Sequence, residues 1–141
     1  MRNYTAHFLA RQQLDKFWNL AEPYLHAGLL MSEGEMDVKQ MRLLAIQGTV
    51  QILLIMDSED MVRGAIATEI VNYPNYKAVN IVSYGGYNLF ASEEDFSYLK
   101  DELRKAGFSQ IQGWCKPAQA RLFKSRYGFS TPYEMIRMSL T

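Results

Sequence analysis

A chain of 141 residues has the size of one domain, 1–141, and its 48% apolar and 21% charged residues are those of a globular protein rather than a disordered one. The formal net charge of zero supplies no overall field for a polyanion such as DNA. The longest apolar run, Ile52 to Met56, is strand-sized and far short of the roughly 18 residues of a membrane span.

Thr5 to Leu9 can form a short strand, after which Leu14, Phe17, Trp18, Ala21 and Leu25 recur at helical spacing. Pro23 interrupts that pattern and predicts either a kink or a second short helix. Asp37 with Gln40 three residues on is a relative of the capping box. Val38, Met41, Leu44 and Ala45 then share a face, and Gly48 is a plausible stop.

From Thr49 the period changes. VQILLIM is apolar on both faces, as expected of a covered strand. Residues 57–60 predict a turn, Met61 to Val71 a second strand, Asn72-Tyr73-Pro74-Asn75 another turn and Ala78 to Tyr84 a third strand, which together make an antiparallel meander. After Gly85-Gly86, Ser92 predicts the cap of a helix carrying Phe96, Leu99, Leu103 and Ala106, with Gly107 closing it and Phe108 packing back. Gln110 to Cys115 reads as a strand, Pro117 as the first turn of a helix that ends at Gly128, and Pro132 to Leu140 as a last strand. The expected order is β-α-α-β-β-β-α-β-α-β.

That order, together with TEIVNYP at 68–74, SYGG at 83–86 and RYGF at 126–129, resembles the GNAT superfamily of acyl-CoA N-acyltransferases, and more narrowly the small GNAT-like proteins of tailed bacteriophages. The resemblance spans nearly the whole chain. It implies an α+β fold, a mostly antiparallel central sheet with helices on both faces. It also implies acetyl-CoA as the cofactor, its pantetheine on the backbone of Val82, Ser83 and Tyr84, and a phosphate loop beginning at Gly85 and Gly86. An unknown amine, or a protein partner if cofactor binding has been lost, is the implied second molecule.

The residues themselves add a conflict. The family loop carries Gln or Arg ahead of two spaced glycines, whereas no basic residue lies between Lys77 and Lys100. The following helix opens with Ser92-Glu93-Glu94-Asp95, placing carboxylates where the helix dipole would attract an anion. Two unit charges about 8 Å apart repel by roughly 0.5 kcal/mol in water and roughly 2 at an effective dielectric of 20, against about 0.3–1 kcal/mol from the dipole. On this reading the loop is self-capped. Arg121 or Lys124, in a C-terminal part rich in bases, could still reach phosphates.

The family acid, a Tyr on the last helix, falls on Lys124, with Tyr127 nearby. Glu69 is the candidate base: flanked by Ala65 and Ala67 on one strand face, it either lines a cleft or is simply solvated. His7 and His26 lack partners at ligand spacing, so no metal site is expected. Cys115, the single cysteine, cannot form an internal disulfide and reads as an inert packed thiol. The opening residues lack the apolar region of a secretory signal, which with the lone cysteine predicts a cytoplasmic protein: host cytoplasm if phage-encoded, or the virion.

Overall fold

The computed structural model describes residues 4–86 and 92–141. Strand β1 (Tyr4–Phe8) leads through a 3-10 turn (Arg11–Gln13) into α1 (Leu14–Leu29) and α2 (Val38–Ile46). The meander follows as β2 (Gln51–Asp57), β3 (Val62–Asn72) and β4 (Lys77–Gly86), and then come α3 (Glu93–Lys105), β5 (Gln110–Gly113) and α4 (Pro117–Tyr127). The sheet order is β1-β2-β3-β4-β5, antiparallel except for the parallel β4–β5 pair. This is the expected α+β architecture.

Period-2 alternation divides the sheet into two cores. Ile52, Leu54, Ala65 and Ala67 pack on α1 and α2 with Trp18, Leu25 and Met41. Leu53, Ile55, Ile66 and Val79 pack on α3 with Phe96, Leu99 and Leu103. Helix boundaries obey local chemistry. Asp37 accepts from the Gln40 amide at 2.8 Å while the Gln40 side chain accepts from the Asp37 amide at 2.9 Å, a complete capping box. Gly107 and Gly128 end α3 and α4 with φ of 93° and 73°, left-handed values that glycine adopts without penalty.

Of the two readings of Pro23, the second short helix is ruled out, because α1 runs through it without a break. Pro23 and Asn19 lie on the exposed side, so the carbonyl that loses its donor faces water. Pro132 to Leu140 is not a strand. It has no regular secondary structure, is exposed and lies outside the sheet, since a strand needs a partner edge as well as a suitable sequence. β5 also stops at Gly113, short of Cys115.

Candidate functional site

β4 is paired on both sides only over its first half. Its ladder with β5 runs from Ala78↔Gln110 to Ile81↔Gly113, while its ladder with β3 continues to Gly86. Among the described residues, no strand pairs with the β5-facing edge of β4 from Val82 onward, so the two parallel strands are laddered only over Ala78–Ile81 and Gln110–Gly113.

A bulge marks the point of separation. Ala67 pairs with Ser83 and Thr68 with Ile81, which leaves Val82 as the extra residue. The bulge changes the phase of the strand. Ile81 packs on the α3 side and Val82 on the α1 side. Ser83 also points to α1, its hydroxyl donating to the Leu25 carbonyl at 2.9 Å. Tyr84 is thereby carried to the α4 side, where its ring meets Phe123 edge-on at 6.4 Å and its hydroxyl accepts from Gln119 Nε2 at 3.3 Å. Without the extra residue, strict alternation would turn Tyr84 toward α1. Burial, and then the neighbouring Cys115 and Tyr127, raise the Tyr84 phenol above its ordinary pKa, so it is protonated at neutral pH.

Gly85 and Gly86, expected to begin a loop, still belong to β4 and pair with Ala65 and Gly64. Their role in this structure is close packing. A Cβ at Gly85 would collide with the Tyr24 carbonyl of α1, and one at Gly86 would stand 2.6 Å from the Gly64 Cα. Gly28 answers from the helix, where a Cβ would come within 2.5 Å of the Tyr84 carbonyl. The sequence after Gly86, residues 87–91, lies outside the described residues.

At the start of α3 the Ser92 hydroxyl accepts from the Asp95 amide at 3.3 Å, as its capping role requires. Asp95 is only 1% exposed, so of the three expected acids Glu93 and Glu94 are the two that face solvent. On α4, Arg121 and Lys124 are both exposed. Tyr127 is half-buried and stacks on Phe96 at 5.1 Å, contributing to the α3–α4 contact.

Glu69 sits opposite Asn80 in the β3–β4 ladder and accepts from its Nδ2 at 2.7 Å. It is half-buried and hydrogen-bonded, and alternation puts it on the sheet face opposite Tyr84. The structure thus gathers Val82 to Gly86 at the separation and leaves Glu69 across the sheet, beside the paired half of β4. Cys115, just past β5, is exposed in accessible area though other atoms crowd its thiol, and that partial desolvation raises its pKa and disfavours the reactive thiolate. Tyr84 and Gln119 form a pair that strand periodicity could not reveal; only the SYGG stretch drew attention to the region.

The α1–α2 loop reaches the same end of the sheet. Lys116, the residue before α4, pairs with Glu33, and Arg137 pairs with Glu35 at 3.1 Å. A backbone hydrogen bond, and then Arg137, hold the Glu35 carboxyl below the usual range. Among the described residues, no group of three or more His, Cys, Asp or Glu could hold a metal ion, and no helix is long and apolar enough to cross a membrane.

No family model and no curated protein matches this sequence. Solved structures do match its fold. A possible acetyltransferase from Clostridium difficile 630 superposes with a TM-score of 0.63 at 12% identity, covering 99% of both chains. The ribosomal-protein-alanine N-acetyltransferase of Brucella melitensis biovar Abortus 2308 gives 0.65 at 10% identity over 98% of this chain and 99% of that one. An aminoglycoside acetyltransferase from an uncultured soil metagenomic sample, in complex with sisomicin, gives 0.61 at 13% identity over 98% and 95%. The chain has the GNAT fold.

Proposed function

We propose that the chain is a GNAT-type N-acyltransferase of the kind tailed phages encode, moving an acetyl group from acetyl-CoA to an amine. The observation that carries this reading is the edge of β4 that β5 leaves unpaired from Val82 to Gly86, with the bulge at its start. That edge offers Val82, Ser83 and Tyr84 as backbone partners for a pantetheine arm, with Gly85 and Gly86 leading on toward its phosphates. The helix beyond it, with Glu93 and Glu94 exposed, suits a diphosphate poorly, and Arg121 or Lys124 from α4 would have to supply the counter-charge.

In the reaction the amine nitrogen bonds to the acyl carbonyl carbon and the carbon–sulfur bond breaks. Tyr84, protonated and half-buried beside the separation, gives its proton to the departing sulfur and recovers one from solvent. The amine approaches from the α1 face of the sheet, opposite Tyr84, and its surplus proton passes through water to Glu69 on that face, which Asn80 holds in place.

A second reading, a GNAT-fold interaction protein without cofactor, in a virion or at a host target, is favoured by two observations. The Tyr84–Gln119 hydrogen bond spans the gap from β4 to α4, and the start of α3 carries exposed acids. A thermal-shift titration separates the two readings. Acetyl-CoA at 100 times its dissociation constant stabilises the fold by about 2.7 kcal/mol. The Glu93→Gln, Glu94→Gln double variant binds more tightly. Absence of any shift at millimolar acetyl-CoA, for wild type and variant alike, removes the transferase and leaves the second reading.

A further inference from the structure

Building on the transferase reading above, on which this depends, we propose that Gln119 is a positioning residue for the acid: its side-chain N–H, given to the phenolic oxygen of Tyr84, turns the Tyr84 O–H toward the departing sulfur. A phenol can accept and donate at once, and the role it takes toward each neighbour decides where its hydrogen lies. Gln119 Nε2 is the donor in this pair, at 3.3 Å. The Tyr84 hydrogen is therefore not spent on Gln119, and the amide fixes the oxygen while leaving the proton to be given elsewhere.

The packing around the pair is built to hold it. Gln119, Ala120, Phe123 and Tyr127 are half-buried while every other position of α4 is exposed, so these four make the inner face of the helix. Gln119 and Phe123 stand one turn apart on that face and reach the same side chain. Phe123 meets the Tyr84 ring edge-on at 6.4 Å and is itself backed by Phe129 and Tyr127 at 5.3 and 5.8 Å, while Gln119 takes the hydroxyl. Keeping a long amide side chain ordered costs rotamer entropy that a solvated glutamine does not lose. The bulge at Val82 and the Gln119 amide thus divide the work: one brings the phenol to α4, the other sets its hydrogen.

The same N–H acts on the charge that develops. As the proton leaves Tyr84 its oxygen turns negative, and a donor already aimed at that oxygen stabilises it without reorganising. Burial, and then Cys115 and Tyr127, make the phenolate harder to form, and the Gln119 amide works against them. A carboxylate in the same place would do the reverse: it would draw the Tyr84 hydrogen to itself and oppose the phenolate by like charge. Glutamate, nearly the same shape as glutamine, is therefore a sharper probe of this role than alanine.

Calorimetric affinities for CoA and for desulfo-CoA test this without any acceptor amine, at pH 9, where a thiol of ordinary pKa about 8.5 is mostly ionised. The ratio of the two affinities isolates what the protein does to the sulfur. Wild type is expected to prefer CoA about tenfold, the worth of a hydrogen bond to a charged atom. Tyr84→Phe abolishes the preference. Gln119→Ala lowers it about threefold, the loss of one neutral hydrogen bond, and Gln119→Glu abolishes it although it keeps the side-chain shape. A purely structural part for Gln119 predicts the opposite order, with glutamate gentler than alanine, or a fall in both affinities at unchanged ratio; either result overturns the proposal. A preference that survives Tyr84→Phe overturns it too, as does tighter binding of both ligands by Gln119→Ala, since the bond would then be a latch across the gap. A wild type that binds CoA and desulfo-CoA equally overturns the role of Gln119 and leaves the transferase reading standing, whereas one that binds neither removes both.

Discussion

Gly85 shows what a single residue position can hide. Paired glycines after an apolar run read as a turn or a phosphate loop, and the SYGG stretch is plain in the sequence. The reason for Gly85 lies on another element: α1 crosses β4 so closely that the Tyr24 carbonyl occupies the space of a Cβ. That approach joins residues far apart in the chain and leaves no local signature. Gly85→Ala is expected to destabilise the fold by about 1–3 kcal/mol, the usual penalty of overpacking. Gly34 supplies the control, because it has a φ of 86° and open space around it, so Gly34→Ala incurs backbone strain alone, about 1 kcal/mol. Urea melts of the two variants give the order; a smaller loss at Gly85 would mean that α1 yields readily. Tyr84 is illegible for a similar reason. One extra residue at Val82 reverses its face, and a one-residue shift in pairing is set by the ladder, not by the alternation of side chains.

Turns and caps were legible because their chemistry is local. Asp37 with Gln40, Ser92, Gly107 and Gly128 all act where sequence places them. The β2–β3 turn follows the same logic. Asp57 Oδ1 accepts from the amides of Glu59 and Met61 at 2.9 and 3.0 Å, and its Oδ2 accepts from Arg63 Nε at 2.7 Å. The Arg63 hydrogen bond first, and then the Met61 amide, hold the Asp57 carboxyl below its ordinary pKa. Its stabilising contribution is therefore complete above the unfolded value, about 3.9, and is lost as pH falls through the lower folded value. Asp57→Ala is expected to melt several degrees below wild type at neutral pH, with the gap closing in acid below both values. A gap that stays constant down to the most acidic melt would show that the carboxylate does not hold the turn. The last expected strand failed at this scale, because period and composition describe what a segment would bury but not whether an edge is there to receive it. Pro23 misled in the opposite sense: its cost depends on whether the orphaned carbonyl faces water, which is a property of the packed helix.

Across the whole molecule the sheet acts as a partition. Successive residues of β2 serve different cores, Ile52 and Leu54 facing α1 and α2 while Leu53 and Ile55 face α3. Met41 in the first core is fully buried and Leu99 in the second is 2% exposed, and no side chain of one cluster belongs to the other. Met41→Ala and Leu99→Ala are each expected to cost about 2–5 kcal/mol, from lost transfer energy and the cavity left behind. The sheet separates the two sites, and a close-packed ladder relaxes little, so neither cavity is filled from the other side. The double variant should then lose the sum of the single losses to within about 0.5 kcal/mol, the additivity of distant sites. Denaturant melts at one fixed chain concentration measure this without interference from association. A coupling above about 1 kcal/mol would mean that the strands shift to share the two cavities. The open half of β4 would then be a deformable margin of the sheet, and the gap beside Tyr84 would change with packing on either face. Additive losses instead mark β4 as a rigid wall whose opening is set by the bulge at Val82.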